Sequence, residues 1–277
     1  MIIHLMLLMF LMYPSDAIFG GNDVDFELFE REYSFFVSIL HKKPHQVPSD
    51  LICGGILLGP KVVATSAHCL RKQKKYKNFF VVVGSNERMI GQLYGIENFY
   101  KHSSYKSIEK GYDAAVIILK DPVEYENLPF VKFPIAMAQL PTGTIAVGQK
   151  CTFLGHGATG INNGTYLFSD LLQIAHWPKI DIQKCIKYIE EREERRVNNP
   201  PLLCIGYVYG RRVANGCVGD SGSPFICKRN NHYELYGIFS WGYDCDESGA
   251  PNGFADITNP SVRSFFEHFI RLYGEEF

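Results

Sequence analysis

The eight cysteines constrain this chain more than any other feature of its sequence. They are separated by 16, 82, 34, 19, 13, 10 and 18 residues, and no two form a C-x-x-C pair. The spacings typical of structural zinc sites and of redox-active dithiols are therefore absent from the sequence, and the even number of cysteines predicts a disulfide framework. The cysteines are Cys53, Cys69, Cys151, Cys185, Cys204, Cys217, Cys227 and Cys245.

The first seventeen residues indicate the compartment in which such a framework forms. Residues 2–12 are apolar except for His4, and they are too few to cross a bilayer, which takes about 20 apolar residues. Ser15 and Ala17 are the small residues that signal peptidase reads, although no Lys or Arg precedes the apolar run. We predict a signal peptide over 1–17 and a secreted, extracellular protein without a membrane anchor. A buried N-terminal helix is the alternative.

The charge balance limits the kinds of partner. The chain has 28 basic and 29 acidic residues and is 46% hydrophobic, which is typical of a folded protein with a core. A near-neutral protein does not present the positive field that nucleic acids require, so no nucleic-acid partner is expected. The run Arg71–Lys77 has five basic residues in seven. It is interpreted as a solvated loop, with a polyanion-binding patch as the alternative.

Short apolar runs separated by turn residues follow Ile18, and this pattern predicts many short strands. Four prolines between residues 121 and 148 indicate a connector between two β-rich halves, about 30–125 and 145–258. The predicted strands include Phe35–Leu40, Ile52–Leu58, Val62–Thr65, Phe79–Val83, Ala114–Leu119, Cys151–Leu154, Tyr233–Ser240 and Gly253–Ile257.

Helical periodicity is clear in two places. One is Ile182–Arg196, whose charged run from Glu190 onward is typical of a solvated helix face. The other is a C-terminal helix over 259–274, which Asn259 and Pro260 are suited to begin. Its apolar stripe consists of Val262, Phe265, Phe266, Phe269, Ile270 and Tyr273.

Three segments carry residue types suited to nucleophilic catalysis. Asn215–Phe225 places a serine between glycines, Ala64–Cys69 places a histidine beside a cysteine, and Asp113–Leu119 places an acid at the head of an apolar strand. Each has an ordinary structural explanation by itself: a surface turn, a packed histidine or a strand boundary. Together they give the order His, Asp, Ser, which is that of the chymotrypsin type of protease.

With these motifs the chain resembles the trypsin/chymotrypsin-like secreted serine endopeptidases over nearly all of the sequence after residue 17. The family's fold would be all-β, with two packed antiparallel β-barrels of the chymotrypsin type and a C-terminal α-helix. The matching motifs are IFGG at 18–21, CGG at 53–55, ATSAHC at 64–69, DAAVIIL at 113–119, CVGDSGSP at 217–224, SWG at 240–242 and the segment Pro251–Ile257.

The resemblance implies a catalytic triad. Ser221 would be the nucleophile and His68 the general base, while Asp113 would orient His68. The backbone N–H groups of Gly219 and Ser221 would form the oxyanion hole.

An activation pair is implied as well, between the amine of Ile18 and the carboxylate of Asp220. No Arg or Lys precedes Ile18, so signal peptidase cutting after Ala17 would itself free this amine. We therefore expect an enzyme that is active as secreted, without a tryptic activation step.

The specificity pocket implied by the resemblance has an uncharged floor at Asn215, where trypsin-like members carry an acid. Strong preference for Lys or Arg is therefore not expected, and a chymotrypsin-like preference for large apolar side chains is favoured. Two positions depart from the family: Ser223 replaces a glycine, and His156, interpreted as solvent-facing, replaces a tryptophan. The pocket residues are Asn215, Gly216, Ser240, Trp241, Gly242 and Asn252.

The remaining expectations concern covalent features and partners. Asn163 heads the one N-glycosylation sequon, and the segment between Val83 and Glu97 lacks the paired acids of calcium-binding relatives. We expect no metal and no cofactor, protein or peptide substrates, protein inhibitors as further partners, and a monomer. A catalytically weak or inactive homologue acting as a binding module is the alternative function. The implied disulfides are Cys53–Cys69, Cys151–Cys227, Cys185–Cys204 and Cys217–Cys245.

Overall fold

The computed structural model describes most of the chain after the N-terminal segment. The described residues are 18, 21–41, 50–70, 78–124, 128, 137–194, 201–209, 215–243, 245 and 249–274. The predicted signal peptide and the basic run Arg71–Lys77 lie outside them. Within the described residues, no helix has the length and apolar character needed to cross a membrane.

Fifteen strands lie within the described residues and form the framework of the fold. They are β1 (Asn22–Asp23), β2 (Phe36–His41), β3 (Asp50–Gly59), β4 (Val62–Thr65), β5 (Phe79–Val83), β6 (Gln92–Lys101), β7 (Ala115–Leu119), β8 (Lys150–Gly155), β9 (Ala158–Asn162), β10 (Thr165–Phe168), β11 (Gln173–Pro178), β12 (Leu202–Gly206), β13 (Pro224–Arg229), β14 (His232–Trp241) and β15 (Pro251–Asp256).

The N-terminal half is a closed barrel with the strand order β2–β3–β4–β7–β6–β5. Strands β4 and β7 are buried along their whole length, as expected for continuous apolar runs. They pair antiparallel with Thr65 opposite Ala115. This register places the chain just after Thr65, which carries His68, beside the chain just before Ala115, which carries Asp113.

The C-terminal half is a seven-stranded sheet with the order β1–β11–β8–β13–β14–β15–β12. The chain just after β11 meets β12, the last strand of this order, at one bridge, Lys179 with Ile205, and the N–H of Ile180 donates to the carbonyl of Cys204 at 2.8 Å. The predicted all-β, chymotrypsin-like fold is therefore confirmed. In the part of the chain that the structure describes, the second half differs from the first in being joined at one seam by a single bridge instead of a full ladder.

Helices are few among the described residues. They are α1 (Phe26–Leu28), which continues as a π-helical turn at Phe29–Tyr33, 3-10 turns at Ala67–Leu70 and Ile108–Lys110, α2 (Ile182–Glu193) and α3 (Pro260–Tyr273). Asn259 caps α3 by accepting from the N–H groups of Ser261 and Val262, so this helix begins where the sequence predicts. Val262, Phe266 and Phe269 bury its apolar stripe.

Candidate active site

The candidate site lies between the two halves, and its most tightly connected pair is His68 and Asp113. His68 belongs to the 3-10 turn after β4, and its Nδ1 lies 2.6 Å from Oδ2 of Asp113. The backbone N–H of His68 also donates to Oδ1 of Asp113 at 2.9 Å. When Nδ1–H donates this hydrogen bond to Asp113, Nε2 of His68 is left as the hydrogen-bond acceptor.

Asp113 has a third donor, which comes from the other half of the molecule. The hydroxyl of Ser240, on β14, donates to Oδ2 of Asp113 at 2.5 Å. The Asp113 side chain is 1% exposed, and a buried carboxylate requires such partners because burial without them is costly. Ser240 is one of the predicted pocket residues, and the structure places its side chain on Asp113.

The loop that carries Ser221 packs directly onto the strand ends beside His68. The carbonyl of Ser221 accepts from the N–H of Gly54 at 2.8 Å. Gly222 has a φ of +81°, and a β-carbon on it would collide with the hydroxyl of Thr65 and the carbonyl of Gly54. Only glycine fits there. Among the described residues there is no hydrogen bond between the Ser221 hydroxyl and His68, so the shared packing sets their relative position.

Two backbone N–H groups of this loop are unengaged. Within the described residues, those of Gly219 and Ser221 donate to no other group of the protein. Gly219 has a φ of +99°, a conformation that favours glycine. The loop thus presents two neighbouring N–H groups, which is the arrangement that binds a developing oxyanion.

Asp220 lies behind this loop and is fully buried. Its two oxygens accept from the backbone N–H groups of Gly157 and Cys217, each at 2.8 Å. Burial raises the pKa of Asp220 to about 7 from its ordinary 3.8, although both N–H bonds lower it. In this chain Ile18 is also fully buried, in the aromatic core of the C-terminal half.

His156 is buried, which makes its interpretation as a solvent-facing residue wrong. Its ring contacts the ring of Phe36 at a centroid distance of 5.4 Å, and neither ring nitrogen has a hydrogen-bond partner among the described residues. Burial, with a smaller effect of the Arg88 charge, lowers the pKa of His156 to about 3. The ring is therefore neutral at physiological pH and fills space as the family's tryptophan would.

Ser223 fits its position without backbone strain. Its φ is not positive, since it is not among the residues in the left-handed region. The side chain occupies the space that Gly54 leaves open, because a β-carbon on Gly54 would collide with the Ser223 hydroxyl. That buried hydroxyl has no partner among the described residues. Serine in place of the family's glycine at this position therefore buries one unpaired hydroxyl but does not displace the Ser221 loop.

The predicted pocket residues come together, but the space between them is occupied. Asn252 donates from Nδ2 to Oδ1 of Asn215 at 3.3 Å and accepts at Oδ1 from the N–H of Gly216 at 2.9 Å. A β-carbon on Gly216 would collide with the ring of Phe239. The ring of Phe239 thus lies where a chymotrypsin-like preference would need space for a large side chain. Phe239 was missed, although it directly precedes the SWG motif at 240–242.

Four disulfides join the same cysteines that the resemblance pairs: Cys53–Cys69, Cys151–Cys227, Cys185–Cys204 and Cys217–Cys245. The first anchors the turn that holds His68, and the last ties the segment before Ser221 to the far side of the pocket. Each such bridge stabilises a fold by about 2–4 kcal/mol. Cys53 and Cys69 lie close to His68 but bind each other, so this trio does not offer the free thiolates that a metal requires.

Comparison with known proteins identifies the family. The trypsin family model matches residues 28–262. The chain belongs to the trypsin family. It is 28% identical over 246 residues to trypsin eta of Drosophila erecta, covering 88% of this chain and 87% of the relative. It is 30% identical over 207 residues to trypsin eta of Drosophila melanogaster, covering 74% of this chain and 72% of the relative.

A longer relative extends the comparison. The chain is 26% identical over 260 residues to tissue-type plasminogen activator of Bos taurus, covering 89% of this chain and 43% of that relative. As a trypsin-family member, the chain is a serine-type endopeptidase, which is a hydrolase acting on protein substrates.

Proposed function

We propose that this trypsin-family chain is a secreted endopeptidase in which His68, Asp113 and Ser221 form a working triad. One observation carries the proposal: a buried, triply hydrogen-bonded Asp113 orients His68 at the edge of the loop that carries Ser221. An arrangement kept only for structure would not need an imidazole beside a serine between two glycines. The pocket floor is uncharged, so trypsin-like preference for Lys or Arg is not part of the proposal.

The triad would work by moving one proton. Asp113 accepts a hydrogen bond from the Nδ1–H of His68, so Nε2 takes the proton of the Ser221 hydroxyl as its oxygen attacks the substrate carbonyl. The same proton then passes from His68 to the leaving amine as the peptide bond breaks, which leaves an acyl-serine. Water, deprotonated by His68 in turn, releases the acid and restores Ser221.

The oxyanion formed at each stage would bind the N–H groups of Gly219 and Ser221. Both are unengaged by the rest of the described chain, so they need no rearrangement to accept a negative oxygen. One such donor is typically worth about 3–4 kcal/mol of transition-state stabilisation. Gly219 and Ser221 are both half-buried and lie next to the exposed Val218, which favours access of a substrate to these donors.

Activation is proposed to follow from signal peptidase cleavage alone. Cutting after Ala17 would free the Ile18 amine, and this amine would pair with the buried carboxylate of Asp220. The complete burial of Ile18 and the absence of any side-chain donor to Asp220 among the described residues both support this pairing. The four disulfides favour an oxidising, extracellular compartment.

Asn163 is proposed as a glycosylation site. It lies with Gly164 in the exposed turn between β9 and β10, where both residues have positive φ and Asn162 pairs with Thr165. This turn leaves the Asn163 side chain open to solvent, as a glycosyltransferase requires. Mass spectrometry with and without glycosidase treatment would check the modification.

The deciding experiment for the function is covalent labelling with a fluorophosphonate, which reacts at an activated serine without needing a particular side chain. We expect labelling of the secreted protein at Ser221, located by peptide mass spectrometry, and none in His68→Ala. The His176→Ala variant is a matched control, because this histidine is the one exposed residue of the largely buried β11, and it should label like the parent. No labelling of the parent would favour the inactive binding module.

A further inference from the structure

The space between Gly216 and Gly242 is filled by the protein itself. These glycines lie on the two segments that the resemblance assigns as pocket walls, and the missing side chain of each would meet the ring of Phe239. A β-carbon on Gly242 would lie 3.4 Å from Cζ of Phe239, 3.3 Å from Oδ1 of Asn252 and 3.1 Å from the carbonyl oxygen of Gly216. A β-carbon on Gly216 would overlap the same ring. The Phe239 ring therefore reaches both glycines.

These distances exclude a second ring between the walls. Carbon atoms in contact lie about 3.5–4 Å apart, so a substrate ring held between two walls would keep them about 7 Å apart. A β-carbon on Gly242, one bond length from its backbone, would already lie 3.1 Å from the carbonyl oxygen of Gly216 on the opposite wall. The two walls are therefore too close for a ring between them. A large side chain would have to displace both Phe239 and the wall.

Phe239 is not free to move aside. Its ring packs against Phe153 and Phe254 at centroid distances of 5.4 and 5.3 Å, within the aromatic core of the C-terminal half. Its backbone N–H donates to the carbonyl of Ser223, and its carbonyl accepts from the N–H of Gly222 and the hydroxyl of Ser66. A residue held at both its ring and its backbone is a fixed obstruction.

Asn252 closes the base of the same space. Its side-chain amide bonds both Asn215 and Gly216, and a β-carbon on Gly206 would lie 3.1 Å from its Nδ2. Asn252 is 1% exposed, so this amide is enclosed by its own protein. Because both asparagines are uncharged, no described residue at the base would neutralise a buried Lys or Arg of a substrate.

We propose that Phe239 and Asn252 determine specificity by exclusion, so that the enzyme cleaves polypeptides after residues with small side chains: Gly, Ala or Ser. The inference rests on the proposed function, because it concerns the substrate of the same site. A small side chain needs no depth between Gly216 and Gly242, whereas a Phe, Leu, Lys or Arg side chain does.

The test compares two substrates that share sequence and leaving group and differ only in Ala or Phe before the scissile bond. We expect kcat/KM to be at least about 100-fold higher for the Ala substrate, since pocket fit discriminates by roughly 10–200-fold even for a single methylene. Equal or better cleavage of the Phe substrate would overturn the inference. Fluorophosphonate labelling in parallel separates this outcome from failure of the triad.

Opening the space should reverse the preference. In the double variant Phe239→Val, Asn252→Gly, we expect the Phe-to-Ala ratio of kcat/KM to rise at least about 50-fold. Phe225→Val is the matched control, because Phe225 lies in the same aromatic core and packs on Phe254 but reaches neither glycine. An equal rise in the control would assign the effect to general loosening and contradict the role of Phe239.

Binding of indole tests, independently of catalysis, whether the space between Gly216 and Gly242 can hold an aromatic ring. In a Ser221→Ala background, ligand-observed NMR should detect no displaceable indole binding in the parent and clear binding in the opened double variant. Indole bound at this site in the parent would overturn the inference even if the triad works. If labelling fails, the proposed function fails, and the indole measurement still decides whether the space is filled.

Discussion

Two buried aspartates of this site, Asp113 and Asp220, are held in different ways. Asp113 has three donors, two of them from His68 and one from Ser240, so folding alone provides all its partners. Asp220 has only two backbone N–H donors, and burial raises its pKa to about 7. The difference teaches that one carboxylate is ready once the chain has folded, whereas the other still lacks a cation.

The Asp113→Asn variant tests the aspartate whose partners are all provided by folding. It should cause the largest loss of activity. An amide can donate to Nδ1 and select the wrong tautomer of His68, so we expect Asp113→Asn to lower kcat by about 10⁴-fold. Initial-rate kinetics on a peptide substrate, with circular dichroism to verify folding, would check this. A loss below about 10-fold would mean that Asp113 does not orient His68.

One extra residue before Ile18 tests Asp220, the aspartate that depends on the free Ile18 amine for its cation. A chain beginning at Ala17 keeps the Ile18 nitrogen as an amide, so Asp220 remains without its cation. Breaking a buried ion pair costs about 3–5 kcal/mol, so we expect kcat/KM to fall about 100- to 1000-fold. Ile18→Val, starting at residue 18, is the control and should retain activity. Full activity of the extended chain would remove the contrast between the two aspartates.

The pH dependence of stability sharpens the same contrast. In the Ala17-extended chain the pKa of Asp220 is raised from 3.8 to about 7, so the folded state holds this proton more tightly than the unfolded state does. The resulting stability is fully present below about pH 4 and is lost as the pH rises towards 7, by at most about 4 kcal/mol.

Urea unfolding of that extended chain between pH 4 and pH 8 measures the effect. Asp220→Asn should remove this part of the pH dependence, while Ser223→Ala, a nearby buried and uncharged change, should preserve it. An unchanged pH profile in Asp220→Asn would show that another group carries the dependence.

Ser240→Ala tests how much each donor to Asp113 contributes, and it should have the smallest effect. A hydrogen bond to a charged group contributes about 1.5–3 kcal/mol, so we expect a stability loss of about 2 kcal/mol and a fall in kcat of about 10-fold. Ser66→Ala is matched, since its hydroxyl bonds the neutral carbonyl of Phe239 at 2.6 Å. It should cost about 1 kcal/mol. Equal stability losses in the two variants would mean that the charge of Asp113 does not strengthen its hydrogen bond with Ser240.

The sequence predicts strands best where both faces are buried. Val62–Thr65 and Phe79–Val83 form strands with the predicted bounds because barrel strands of this kind are unbroken apolar runs. Strand β6 was missed because its burial is mixed. The hairpin β9–β10 was also missed, although Asn163-Gly164 is a strong turn signal in its own right.

Within the site, residues fixed by local motif were predictable and those fixed by distant packing were not. The 3-10 turn with His68 and the Ser221 loop follow from short motifs. The ring of Phe239 meets Gly216, which lies on a different segment of the chain, and packs on Phe254, its partner across β14 and β15. The burial of His156 depends on Phe36, 120 residues away in the numbering of the chain. Neither relation leaves a local pattern.

The single bridge that closes the C-terminal half has a consequence for how this protein opens. Two strands joined by a ladder separate only when several backbone hydrogen bonds break together. The seam at Lys179 and Ile205 has very few such hydrogen bonds. Its amides, that of Ile180 first, should therefore exchange with deuterium sooner than those of β13 and β14. The Cys185–Cys204 disulfide limits how far the seam can part, so we expect openings there to be frequent but of small amplitude.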